Sequence, residues 1–202
     1  MKTLKNKLLI GITGGIGSGK TEVCRLLAKE GFKIFYTDLI AKDLYHKDKK
    51  LAEKVIKEFG KEIVNYKGLI SLSKLKEKIF ENEKNYKKIN KIVHPAVINY
   101  VIKQAYKTKD KMIIVESALL FESGLNKDMD YVILVYANKK NRIKRIMERD
   151  GSNKKDIEKI MKHQFDDKKN MENSDFVLVN NKDFDNLESQ VEFLVKVLNA
   201  LK

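Results

Sequence analysis

The apolar positions of this chain fall into two kinds of run, short continuous blocks and stripes of helical spacing. Leu8-Leu9-Ile10-Gly11-Ile12-Thr13 is a continuous block, the pattern of a central parallel strand buried on both faces. Glycines follow. Residues 21–30 then place Val23, Leu26 and Leu27 at helical spacing, with Gly31 positioned to end the helix. Residues 32–36 predict a second strand that ends at Thr37-Asp38, so the first 38 residues read as strand, loop, helix, strand, with a right-handed crossover and a parallel sheet. Residues 51–107 read as mostly helical. Val55, Ile56 and Phe59 mark one stripe, Val97, Val101 and Ile102 another, and His94-Pro95 is expected to start a helix because proline suits a first turn. Strand pattern returns at 112–115, 131–137 and 176–179. Between these lie a basic helix at 138–149 and a very polar one at 154–171. Asp185-Asn186-Leu187-Glu188 resembles a capping box opening a last helix to Leu201. Five strands alternating with helices, without repeat or low-complexity linker, predict a single α/β domain.

Composition narrows this picture. With 202 residues, 43% hydrophobic and 35% charged, the chain is sized for one well-packed domain with at most a small insert or lid. No apolar run approaches the roughly 20 residues of a membrane span. The basic start, Met1 to Lys7, is followed by an apolar stretch that glycines and polar residues interrupt at once, so no signal peptide is read and a cytoplasmic location is expected. One cysteine, Cys24, precludes an internal disulfide and fits a reducing compartment; among Val23, Leu26 and Leu27 it reads as a small buried residue. The formal charge of +14 raises the question of nucleic acid. The excess is nearly all lysine, spread along the chain without interleaved aromatics, so it reads as a solvated surface and no nucleic-acid partner is expected.

Gly14-Gly15-Ile16-Gly17-Ser18-Gly19-Lys20-Thr21 satisfies G-x-x-x-x-G-K-[ST] and lies where that motif acts, between a buried strand and a helix N-terminus. Glycines let successive N–H groups turn inward and let phosphate oxygens approach the backbone. The helix adds its positive dipole end. Lys20 is placed to reach the β- and γ-phosphates and the Thr21 hydroxyl to ligate Mg2+, with residues Gly15, Ile16, Gly17, Ser18, Gly19 and Glu22 completing the nucleotide contacts. The motif does not name a reaction. A GTPase would carry N-K-x-D, but after Asn126-Lys127 the acid falls one position late, at Asp130. A large ATPase needs more chain. A compact kinase remains.

Taken in order, several further segments resemble the dephospho-CoA kinase family. They are Gly11-Ile12-Thr13 running into the loop, Thr37-Asp38-Leu39-Ile40-Ala41-Lys42, His94-Pro95, Leu119-Leu120-Phe121-Glu122, the spaced Arg145, Arg149 and Asp150, Gln164, and the 175–181 stretch. Departures are Tyr36 for the family's first aspartate of its Asp-Ala-Asp, Ala118 for a proline, Lys159 for an arginine and Asn170 for a lysine. The resemblance spans roughly residues 8–200. It implies a three-layer P-loop kinase fold, a five-stranded parallel sheet with helices on both faces. A core at 1–62, 108–137 and 172–202 would carry a helical acceptor region near 63–107 and a lid near 138–171. It further implies transfer of the γ-phosphoryl of ATP to the ribose 3′-hydroxyl of dephospho-CoA, by a monomer or weak homo-oligomer.

By resemblance and position, Asp38 is the expected base for that hydroxyl; the alternative is a helix N-cap. Glu116, closing the third strand, is the expected second holder of Mg2+, or else a surface charge. Arg145 and Arg149, four apart on one helix face, are expected to clamp the migrating phosphoryl, or else form part of a solvated basic face; three of the chain's four arginines fall at 142–149. Asn181 is an expected adenine contact. His94 reads equally as acceptor contact or helix start. His46 and His163 lack partners at metal-ligand spacing. Tyr66, Tyr86 and Tyr100 read as core rather than groove. Two rivals stay open: a kinase for another small acceptor, such as a nucleoside monophosphate or shikimate, and a nucleic-acid-binding protein using ATP as a switch.

Overall fold

A computed structural model of the protein describes residues 7–161 and 166–201, the side chains of Lys159 and Ile160 apart. His163 and Gln164, singled out above, lie outside the described residues, as do Met1 to Asn6. In chain order the elements are β1 (Leu8–Thr13), α1 (Lys20–Lys29), β2 (Lys33–Tyr36), α2 (Thr37–Lys47), α3 (Lys49–Phe59), α4 (Leu72–Phe80), α5 (Glu83–Lys107) and β3 (Met112–Glu116). They continue with β4 (Tyr131–Tyr136), α6 (Lys139–Asp150), α7 (Lys154–Met161), α8 (Asp167–Glu172), β5 (Phe176–Val179) and α9 (Phe184–Ala200). The chain makes two compact units, residues 36–107 and the remainder. The smaller unit is held together by α2 and α3 packing on α5.

The larger unit holds a five-stranded parallel α/β sheet in the order β2-β3-β1-β4-β5. β1 pairs in parallel with β3 on one side and β4 on the other, Ile12 lying opposite both Glu116 and Ile133. Every residue of β3 and all but the first of β1 are buried, which is why these strands read as continuous apolar blocks rather than alternating ones. The connection from β1 leads to β2 on one side, and the connection from β3 crosses to β4 on the other. The carboxyl ends of the neighbouring β1 and β3 therefore flank a topological switch point, where such sheets open a crevice. Two aspartates fix the strand starts. Asp130 accepts from the Leu9 N–H at 2.7 Å while its own N–H donates to the Leu9 carbonyl, and Asp175 treats Val132 in the same way. The Asp130 that nearly completed a guanine motif is thereby engaged in the sheet.

Helix ends follow local chemistry. α1 stops in a paired arrangement in which Phe32 N–H reaches the Leu27 carbonyl and Gly31 N–H that of Ala28, with Gly31 at φ +83°. Three expectations are corrected. The last helix is capped by Asp183, which accepts from Asn186 N–H at 2.9 Å, so the start lies two residues before Asp185. The polar stretch 154–171 holds two helices, α7 and α8, the second capped by Asp166 accepting from Lys168 N–H. His94-Pro95 starts no helix: Pro95 lies inside the 25-residue α5. An interior proline costs roughly 3 kcal/mol. Here Ile89 and Val93 before it, and Val97, Ile98, Val101 and Ala105 after it, are all buried and hold both halves in one helix. Tyr66 is 93% exposed and so belongs to no core. Among the described residues no helix is long and apolar enough to cross a membrane.

Candidate active site

The glycine loop occupies the switch point at the carboxyl end of β1. Gly14 is required there by its neighbour strand: its φ is +150°, and a Cβ would stand 2.2 Å from the Val135 carbonyl oxygen of β4. The loop tightens where Ser18 N–H donates to the Gly15 carbonyl at 3.0 Å, and α1 begins as Glu22 and Val23 N–H both turn to Gly19. Lys20, though charged, is buried, and its Nζ donates back to the Gly14 carbonyl at 2.7 Å. An ammonium folded over its own loop is poised to exchange a carbonyl for a phosphate oxygen. Gly15, Ile16, Gly17, Ser18, Gly19, Lys20 and Thr21 are thus brought together as expected from sequence.

Beneath the loop lies a buried charge pattern. Glu116 is 8% exposed at the end of β3, beside Ile12 of β1. Cys24 is fully buried, and its thiol is pushed up to about 12, first by burial and then by the negative charge of Glu116, while the Lys20 ammonium opposes the shift. Lys20 and Glu116 therefore both act on one buried point. Thr21, in the first turn of α1, is exposed. Among the described residues no three acidic, histidine or cysteine side chains gather into a metal cage. One hydroxyl and one carboxylate suit a magnesium ion that arrives with phosphates and keeps water in its shell.

Helix α6 closes the other side. Arg145 Nη2 donates to the side-chain oxygen of Asn180 at 3.2 Å, and the Asn180 amide donates to the Ser18 carbonyl at 2.8 Å. Two buried polar atoms here, Ser18 Oγ and Arg145 Nη1, have no hydrogen-bond partner among the described residues. A buried guanidinium nitrogen left without an acceptor is costly unless an anion supplies one. Arg142 packs against the loop itself, with Nε donating to the Ile16 carbonyl at 3.0 Å.

The remaining expected residues are placed differently. Arg149 is exposed and bonds its neighbour Asp150 at 2.7 Å. Glu22 pairs on the surface with Arg25, whose hydrogen bond lowers the Glu22 carboxyl below its ordinary range. Asn181 accepts from Asn138 N–H with its side chain and from the Asn141 amide with its backbone, tying the end of β5 to the start of α6. Asp38 is exposed in the first turn of α2, whose N-cap is Tyr36, so the capping alternative fails. Its charge helps burial raise the Tyr45 hydroxyl. His94 is half-buried in α5. Sequence reasoning gave no role to Asn180 or Arg142. The concentration of scarce arginines at 142–149 was a signal for the second; for the first the signal was its place in the family-like 175–181 stretch.

A sequence model of the family described as dephospho-CoA kinase matches residues 8–186. A protein named dephospho-CoA kinase from Fusobacterium nucleatum is 41% identical over 185 residues, covering 92% of this chain and 95% of the other. Among solved structures, dephospho-CoA kinase from Campylobacter jejuni superposes with a TM-score of 0.67 at 25% identity, over 94% of this chain and 96% of that one. A Thermus thermophilus protein at 24% identity shares the fold, with a TM-score of 0.81 over 96% and 98% of the two chains. The phosphate loop, its buried lysine and the arginine tied to it belong with this match: the chain is a member of the dephospho-CoA kinase family.

Proposed function

We propose that this protein transfers the γ-phosphoryl group of MgATP in line to the ribose 3′-hydroxyl of dephospho-CoA, giving coenzyme A and ADP. The observation that carries the reading is the phosphate loop at the carboxyl end of β1, with Lys20 folded over it and Arg145 joined to it through Asn180. Lys20 moves from the Gly14 carbonyl to the β- and γ-phosphates, and the loop amides take the phosphate oxygens. Arg145 offers its unpartnered Nη1 to the charge that spreads over the migrating group, and Arg149 takes the second place in that clamp. The Thr21 hydroxyl and Glu116 would hold Mg2+, which when bound neutralises phosphate charge. Asp38 accepts the proton of the attacking hydroxyl. Asn181 and Glu22 complete the nucleotide end, Asn181 as the contact to adenine.

On this reading catalysis is chiefly positioning and electrostatics, and exclusion of water protects ATP from hydrolysis. The protein works in the cytoplasm as a monomer or weak homo-oligomer without a nucleic-acid partner; dispersed lysines and one buried cysteine support that. The test is a coupled ADP-release assay with MgATP, comparing dephospho-CoA with adenosine, AMP and no acceptor. Turnover with dephospho-CoA alone, with coenzyme A as product, is the expected result. ATP binding without that turnover would leave a kinase of another acceptor.

A further inference from the structure

We propose that Arg142 is a positioning residue that sets the shape of the phosphate loop, and that Asp167 holds its guanidinium in place for that task. The proposal rests on the loop binding MgATP. Three contacts converge on one short segment. A Cβ on Gly15 would fall 2.1 to 2.5 Å from Nη2, Cζ and Nη1 of Arg142, so the guanidinium fills the space that a side chain at Gly15 would take. Arg142 Nε donates to the Ile16 carbonyl at 3.0 Å. The Arg142 carbonyl oxygen would stand 2.7 Å from a Cβ on Gly17, so α6 presses on the loop with its backbone as well.

The consequence follows from peptide geometry. The Ile16 carbonyl and the Gly17 N–H share one planar trans peptide and point in opposite directions. Holding the carbonyl toward Arg142 therefore holds the Gly17 N–H away from it, and the loop's donors are fixed before a phosphate arrives. Donors set in advance need no reorganisation on binding. Arg142 is itself fixed: its side chain is 6% exposed, and Nη1 meets the Asp167 carboxylate at 3.1 Å. Asp167 opens α8 and bears on the loop through Arg142. Ile143 and Ile146 of α6, packed with Ile157 and Ile16, keep the helix seated. Lysine would not replace Arg142, because it has neither the flat fork nor the Nε–H.

The test titrates the intact protein with MgATP and follows kinetics with dephospho-CoA, using Arg142→Lys, Asp167→Asn and the double variant. Arg142→Lys is expected to weaken MgATP roughly tenfold, the scale of one charge-assisted hydrogen bond, with kcat at saturating nucleotide changed much less. Asp167→Asn is expected to weaken it less, and the double variant no more than Arg142→Lys alone, since Asp167 acts through Arg142. Hydrogen exchange of the Ile16 and Gly17 amides without nucleotide should quicken in Asp167→Asn, a readout that stands even if Arg142→Lys fails to fold. Unchanged MgATP affinity in both single variants, additive effects in the double, or unchanged exchange would overturn the proposal. A native protein that binds no MgATP would instead sink the phosphate-loop reading on which it rests.

Discussion

Arg145 reaches the phosphate loop through a single intermediary, Asn180, which accepts from its Nη2 and donates to the Ser18 carbonyl. The arginine is thus oriented before substrate binds, with Nη1 buried and without a hydrogen-bond partner among the described residues. Arg145→Ala should lower kcat by about a hundredfold or more, as removal of one oriented transition-state donor does elsewhere. Asn180→Ala should lower it less, about tenfold, by letting the guanidinium wander and leaving the Ser18 carbonyl without its donor. Arg149→Ala should have the smaller effect of the two arginine variants, because Asp150 already satisfies its guanidinium. Steady-state kinetics on the three variants decides the order; an Arg149 effect exceeding that of Arg145 would reassign the clamp.

Lys20 carries a buried charge, and its ammonium donates to the Gly14 carbonyl. Lys20→Met keeps the length and removes the charge. MgATP affinity should fall by about a hundredfold, two tenfold steps for a lost charged contact to phosphate. Thermal stability should fall as well, since the change leaves the Gly14 carbonyl without its donor and the buried Glu116 without the positive charge that acts on the same buried point. Calorimetric titration and a melting curve on the same sample check both halves.

How much of this was legible beforehand differs by residue. The loop and the buried strand before it are local in sequence, and each residue type is dictated by phosphate binding, so residues 8–21 could be read directly. β3 and β4 were legible because burial on both faces forces continuous apolar runs. Pro95 misled because local proline chemistry was outweighed by apolar residues buried on both sides of it. Asp183 and Asp185 both sit before the same apolar pattern, and the extended backbone of Asp183 with its bond from Asn186 N–H makes it the cap. Asn180 and Arg142 act through contacts to residues 162 and 126 positions away, which no local pattern encodes.

Cys24 gives the fold a pH dependence with a definite sign. Its pKa is raised in the folded protein from 9.0 to about 12, chiefly by burial and then by Glu116. The stabilisation that comes from keeping this thiol neutral is complete below pH 9 and is lost progressively as pH rises toward about 12, where the unfolded chain gains a thiolate that the folded one resists. Cys24→Ala should flatten that alkaline fall in stability, measured by denaturant unfolding between pH 8 and 10.5. At pH 8 the native thiol should resist iodoacetamide and react only on unfolding; rapid alkylation of the native protein would contradict its burial.

Asp38 separates chemistry from helix electrostatics. It sits in the first turn of α2, where a carboxylate also complements the helix dipole. If that were its whole role, Asp38→Asn would lower stability by about 0.3–1 kcal/mol and leave turnover intact. As the base for the 3′-hydroxyl, the same change should keep MgATP affinity within about twofold while lowering kcat by about a hundredfold or more, the range of general-base contributions. Asp38→Asn also preserves the size of the side chain, so a kcat loss without a melting shift assigns the effect to the proton. Turnover retained in Asp38→Asn would move the base elsewhere and leave Asp38 to the helix.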